Sequence, residues 1–324
     1  MRAGLRRIGF ALGVLAGLAA CETSQLAPRE TGVPPHARPD GLKPVPSAEA
    51  PPRRRSLASK DLETYYSRVQ ADLLTQGLLR TDGGGPDTPF TDTMLVRNFE
   101  RIALAEEYER GAGLRPSRGE LSRVKKWLQP VRVTIEFGAL VPEDQRVPDT
   151  NMVTQYVNRL SRITGHPMSM NADNANFHVL FMSEDDKAEI APRIRQLVPN
   201  VSPSALELFD RLPRSIHCLV LAFSEDPGGY AYGEAIAVIR SEHPDLLRRS
   251  CIHEEMAQGM GLGNDSPSAR PSIFNDDDEF ALLTTHDEML LKILYDPRIS
   301  PGMDADTVRP VVTQIAGALL GGES

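Results

Sequence analysis

Much of what a 324-residue chain could be is excluded by what this one lacks. It holds only three cysteines. With Cys21 set aside in the leader discussed below, Cys218 and Cys251 are the one pair left to form a disulfide, or else two buried thiols. Its leading apolar run, residues 8–18, is too short for a mature membrane-spanning helix. It has no surplus of basic residues, with 36 Lys and Arg against 44 Asp and Glu and a net charge of -8. Such a chain has no general attraction for nucleic acid or anionic lipid. It also lacks a glycine-rich phosphate loop, a Ser/His/Asp arrangement and an internal repeat.

The chain opens MRAGLRRIGFALGVLAGLAAC. Arg2, Arg6 and Arg7 precede the apolar run, and small residues lead into Cys21. This is the pattern of a cleaved export signal over residues 1–20. Leu18 to Cys21 resembles the lipobox of bacterial lipoproteins. That resemblance implies that Cys21 is lipidated and tethers a periplasmic protein to the membrane. Glu22, in place of the aspartate that marks inner-membrane retention, favours the outer membrane. A plain signal peptide with an incidental cysteine is the alternative. Residues 21–56 are rich in Pro, Ala, Ser and charge and read as a disordered tether. The basic cluster at 51–55 reads as solvated linker.

From there the composition is globular. Residues 57–126 form an N-terminal helical segment, with helices over 62–79 and 94–110. Strands are expected at 131–138, 176–183, 216–224 and 233–240, and helices at 151–164 and 188–197. The run at 216–224 is almost wholly apolar and so is expected at the centre of the sheet. Pro244 and Asp245 open a further helix. The alternation predicts an α+β fold with a mixed sheet over residues 127–300, followed by a C-terminal helix and tail over 301–324.

The helix after Asp245 carries CIHEEMAQGMGLGND, residues 251–265. A zinc helix of the H-E-x-x-H type places two ligands at i and i+4, about 40° apart around the axis, with the glutamate as general base. Starting that frame at His253 puts Ala257, which has no donor atom, at the second ligand position. Starting it one residue later puts Glu254 and Gln258 at the ligand positions, Glu255 at the base position, Gly261 three residues after Gln258, and Asn264 and Asp265 at the third ligand. His253 then lies about 100° round the axis, behind the helix. Ile252, Met256 and Met260 form a core stripe.

This frame resembles the metzincin zinc peptidases, within them the matrixin-like branch, with Glu254, Gln258 and Asn264 standing where that family has three histidines. The family's glycine lets the chain turn back towards the metal, which is the place of Gly261. Ser272-Ile273-Phe274 stands where the family has a Ser-Ile-Met turn, and 283–295 is similar to its last helix. The resemblance, over about 131–295, implies a mixed sheet packed on an active-site-type helix. The chain also resembles a family of proteobacterial lipoproteins with domain of unknown function 2927. The shared segments are HEE at 253–255, Gln258, SIFNDD at 272–277 and the Tyr-Asp-Pro-Arg stretch ending at Arg298.

Carboxylate oxygen is an acceptable zinc ligand, but Gln and Asn carbonyls are weak ones. Glu254, Gln258 and Asn264 would hold zinc loosely, so no cofactor is expected, with a zinc ion at these positions as the alternative. The acidic run at 275–279 is expected to be a solvated loop and His286 a surface residue, with Asp287 at a helix start. The expected function is binding of peptide or cell-envelope polymer without efficient hydrolysis. The alternatives are a hydrolase using Glu255 as general base with an atypical metal or none, and an envelope scaffold that performs no chemistry.

Overall fold

The computed structural model describes residues 54–106, 117, 119–210, 212–275 and 277–321. The leader, Cys21 and almost all of the expected tether lie outside them. Residues 52–324 form one unit. Its helices are α1 (Leu57–Thr75), α2 (Asp92–Ala103), α3 (Glu143–Thr164), α4 (Lys187–Leu197), α5 (Pro203–Asp210), α6 (Asp245–Gly259), α7 (Thr285–Leu294) and α8 (Ala305–Gly321). Its strands are β1 (Lys126–Trp127), β2 (Val131–Phe137), β3 (Met168–Met170), β4 (Phe177–Met182), β5 (Cys218–Ser224) and β6 (Ala231–Arg240). The fold is α+β with a mixed sheet.

Strands β3, β2, β4 and β6 run parallel in that order, and β1 joins the start of β6 in parallel. Strand β5 lies antiparallel against the other side of β6, from Cys218 opposite Ile239 to Ser224 opposite Tyr232. The apolar run at 216–224 is therefore an edge strand, not the central one expected. The physical reason is that both of its faces are covered. Cys218, Val220 and Ala222 point into the core with α3, α6 and α7, while Leu219, Leu221 and Phe223 pack under α4 and α5. An apolar run reports covered faces and carries no information about which hydrogen-bonding edge is free.

The helices start where local chemistry allows. Ser56 caps α1, Thr91 caps α2, and Thr284 caps α7 in a reciprocal box with Asp287. Helix α3 begins at Glu143, a full two turns before the 151 expected, and accommodates Pro148. It ends at Gly165 in the left-handed conformation. Leu95, Phe99 and Ile102 of α2 join the main core beside α7 and α8, and Tyr66 of α1 packs with Leu247, Ala281 and Leu282.

Helix α6 is buried nearly all round. Its expected core stripe, Ile252, Met256 and Met260, is completely inaccessible. At its start, Arg248 donates from Nε to Asp149 of α3 at 2.7 Å and from Nη1 to the carbonyl of His243 at 2.6 Å. At its middle, a disulfide joins Cys251 to Cys218 of β5, with the Cα atoms 5.8 Å apart. That bond closes a loop with a sequence separation of 33. Changing both cysteines to serine is expected to lower the unfolding free energy by about 3–4 kcal/mol through the freed loop entropy of the unfolded chain. Urea denaturation of the two proteins measures it, and a loss under about 1 kcal/mol would mean that noncovalent packing already holds β5 on α6.

Candidate functional site

The free side of β5 borders a groove of about 1270 Å3. Strand β5 forms one long wall and α6 the floor. Tyr65, Val69 and Leu73 of α1, with Ala103, Ala105 and Glu106, also line the groove. Among the described residues β5 pairs only with β6, so alternate amide and carbonyl groups along its outer edge face this space.

Four of the five residues singled out from the sequence meet here: Glu254, Glu255, Gln258 and Asp265 line the groove. Glu255 and Gln258 are buried, with 4% and 8% of their surface exposed. Gln258 donates from Nε2 to Asp265 Oδ1 at 3.3 Å. Asn264 is not brought to the groove. Its amide turns towards α2 and donates to the carbonyl of Arg101 at 2.8 Å and to that of Asp265 at 2.7 Å. The sharp turn expected at Gly261 is present, with φ of 120°. A Cβ there would stand 2.3 Å from the Lys125 carbonyl oxygen.

These residues do not fit zinc. Of the four candidate ligand positions, Gln258 is a buried amide already donating to Asp265 and Asn264 is an amide turned away, which leaves the carboxylates of Glu254 and Asp265 with no imidazole or thiolate beside them, a poor donor set for zinc. Among the described residues no three His, Cys, Asp or Glu side chains converge to hold a metal ion.

The displaced histidine packs behind the helix, as the 100° offset requires. His253 stacks on Tyr156 of α3, with ring centroids 4.0 Å apart and planes 13° apart. Its Nδ1 accepts from the Leu283 amide at 3.1 Å, and its carbonyl accepts from the Tyr156 hydroxyl at 2.8 Å. Burial, with the nearby charges of Arg159 and Arg249, pushes its pKa down to about 3.

The expectation that His286 lies on the surface is wrong: it is fully buried. Its Nε2 lies 3.0 Å from Asn98 Nδ2 and its Nδ1 lies 3.4 Å from Asp287 Oδ1, so the amide donates to one nitrogen and the other nitrogen carries the proton. A single histidine at a helix start gave no sign of the Asn98 partner 188 positions away. Asp287 is itself a hub. It accepts from Ser272 Oγ at 2.6 Å, the Ile273 amide at 3.0 Å, and Thr284 Oγ1 at 2.8 Å. These bonds fix the Ser272-Ile273-Phe274 turn against α7, with Phe274 fully buried.

Two features had no sequence signal. Lys125 lines the groove, pairs with Glu106, and has its pKa pulled to about 8 by burial. A charged relay crosses three strands: His178 Nε2 lies 2.8 Å from Glu234 and its Nδ1 3.4 Å from Glu136, which also holds Arg193 at 2.7 Å. Burial pulls the His178 pKa down, but the two glutamates outweigh it and the net shift is upward. Period-2 alternation cannot reveal such a row, because it depends on the strand register.

The family model for a protein of unknown function (DUF2927) matches residues 92–314, from the start of α2 through most of α8. The chain belongs to that family. No curated protein and no solved structure matches it.

The two histidines should titrate in opposite directions from the ordinary value of 6.5. His253 is expected to stay neutral until the pH nears about 3, so its contribution to stability is complete above 6.5 and is lost as pH falls from 6.5 to about 3. His178 has a raised folded pKa, so its contribution is complete below 6.5 and is lost as pH rises through the folded value. Imidazole NMR titration of the folded protein measures both, and protonation of His253 near 6.5 would show that it is not buried on Tyr156.

Proposed function

We propose that this protein is a lipid-anchored protein of the periplasm, held at the outer membrane. Its groove binds an extended peptide, or a cell-envelope polymer of similar width, without efficient hydrolysis. The observation that carries this reading is the open edge of β5 running beside Glu254, Glu255 and Gln258. An extended chain laid there gains main-chain hydrogen bonds from the strand, while its alternate side chains meet the floor. The leader and its lipobox-like cysteine support the anchoring. A disulfide inside the unit suits an oxidising compartment.

The likeness to a metzincin with altered ligands draws support from three features. A sheet with one antiparallel edge strand borders the helix. The chain turns at Gly261. The Ser272-Ile273-Phe274 turn is anchored to α7 through Asp287. The poor zinc donor set supports binding over hydrolysis. The burial of Glu255 in the floor favours one further reading, a hydrolase that uses it as general base, since a carboxylate in that setting can take a proton from water.

Hydrogen exchange on the full chain, with and without an excess of an extended Ser/Val-rich peptide, separates these readings. Slower exchange of the amides in β5, with the peptide recovered intact, is the expected result. Cleaved peptide, abolished by Glu255→Gln, would establish the hydrolase. Near-stoichiometric zinc in protein purified without chelator, lost in Glu254→Ala/Gln258→Ala, would refute the reading that the floor has no metal.

A further inference from the structure

We propose that α1 is an acid-released strap: Tyr66 clamps it beside the groove, and the helix comes away in one piece, turning at Gly77, when His217 and His243 take up protons. The proposal goes beyond the binding reading and holds whatever the groove accepts.

Helix α1 is attached lightly for its length. Among its 19 residues only Ser59 and Tyr66 are buried. Ser59 Oγ donates to Glu242 at 2.6 Å, the Tyr66 hydroxyl donates to the Arg214 carbonyl at 3.0 Å, and Gln70 Oε1 accepts from the Leu247 amide at 3.2 Å. These three residues lie on one stripe of the helix. Tyr66 centres a small apolar cluster with Leu79, Leu247, Ala281 and Leu282, separate from the main core. The helix ends just before Gly77, whose φ of 76° is left-handed. Beyond it the Leu79 and Arg80 amides donate to the carbonyls of Asp278 and Glu279 at 2.9 and 2.8 Å. A hinge thus stands between α1 and a fixed point. The helix also precedes residues 92–314, the part shared with the family.

The surface under α1 is incompletely satisfied. Ser241 Oγ, Glu242 Oε2 and His243 Nε2, on three successive residues past β6, are buried with no hydrogen-bond partner among the described residues, as is Arg55 Nη2 just before α1. Such groups weigh against the docked state, because water would satisfy them once the helix left. An interface of this kind opens at smaller cost than a packed core.

The clamp is ringed by groups that change charge near neutrality. The Tyr66 ring lies 4.2 Å from that of His243 and 5.5 Å from that of His217, edge to face, and the two imidazoles are 5.4 Å apart. His217 also lines the groove, which gives protons a way in. Arg240 of β6 faces both histidines, Arg248 of α6 faces His243, and Asp278 faces His217. Tyr65, Glu184 and Glu242 face Tyr66, which stays a neutral phenol because burial pushes its pKa up to about 12. Burial, aided by the arginines, lowers the pKa of both histidines. Their contribution to docking is therefore complete above 6.5 and is lost as pH falls below it. Glu242 works the other way: burial raises its pKa above 4.5, so taking up a proton favours docking. One carboxyl opposes two imidazoles. The attraction of a ring face for an imidazolium is small beside the cost of burying an unpaired charge.

Hydrogen exchange of the full chain at about pH 7.5 and about pH 5, corrected for the intrinsic rate at each pH, tests the strap. Protection of the α1 amides should fall at least roughly tenfold at the lower pH, while β4 and α7 keep theirs. His217→Gln/His243→Phe should abolish that fall. His217→Gln alone, which changes a partly exposed residue, should reduce it. Glu242→Gln should leave it in place. Tyr66→Ala should strip protection from α1 at both pH values, with β4 and α7 still protected. Protection of α1 that does not change with pH, or that changes together with β4 and α7, would overturn the proposal. So would a fall undiminished in either histidine variant, a fall that vanishes in Glu242→Gln, or an α1 that stays protected in Tyr66→Ala.

Discussion

Two positions at the end of helix α6, Gly259 and Gly261, have no room for a side chain, and the position of the groove floor follows from that. A Cβ at Gly259 would stand 2.6 Å from the ring of Phe177 on β4, and one at Gly261 would strike the Lys125 carbonyl. With glycine at both places the helix backbone lies directly on the sheet. The Trp127 indole then reaches the Gly259 carbonyl at 2.9 Å, and the Tyr295 hydroxyl reaches the Met260 carbonyl at 2.8 Å. Those carbonyls end a buried helix and have no partner within it, so each bond removes a desolvation cost of about 1–3 kcal/mol. The height and rotation of α6 are thereby set at one end, and with them the positions of Glu254, Glu255 and Gln258.

The remaining restraints act on the same helix from other sides. Arg248 ties its start to the buried Asp149 of α3, a pair whose charges are both withdrawn from water and which would be costly to break from either side. The disulfide fixes its middle to β5. His253 adds a stack and an accepted hydrogen bond behind it. A helix held at its start, middle, end and back has little freedom to rotate. The wall and the floor of the groove therefore keep one spacing, which is what an extended ligand paired to the strand edge would need.

What the sequence made legible was local and periodic. The core stripe of Ile252, Met256 and Met260 and the place of His253 follow from angles within one helix and its cap, and the turn at Gly261 from a glycine just past its end. What stayed hidden depends on distant partners. The edge position of β5 is a property of pairing, and its apolar faces pointed to the wrong place in the sheet. His286 looks like a surface residue until Asn98 and Asp287 are beside it. Asn264 turned away because α2 offers it a carbonyl, and nothing near residue 264 announces α2. The short strands β1 and β3 and helix α5 are too brief to show a period.

Asp287 explains how the floor keeps its shape with such a weak set of metal donors. The Ser272-Ile273-Phe274 turn has to be pinned to keep its place. Here the pin is a carboxylate at the start of α7, where the helix dipole favours its charge. It accepts from Ser272, from the Ile273 amide and from Thr284, and these charge-assisted bonds are stronger than neutral ones in a dry interior. Above it, Gln258 is satisfied by Asp265, and Asn264 by the Arg101 carbonyl. An amide cannot replace an imidazole as a zinc ligand, but it can donate, and both of these do. Gln258, Asp265 and Asn264 thus hold one another in place, while among the described residues the outer edge of β5 pairs with no other strand.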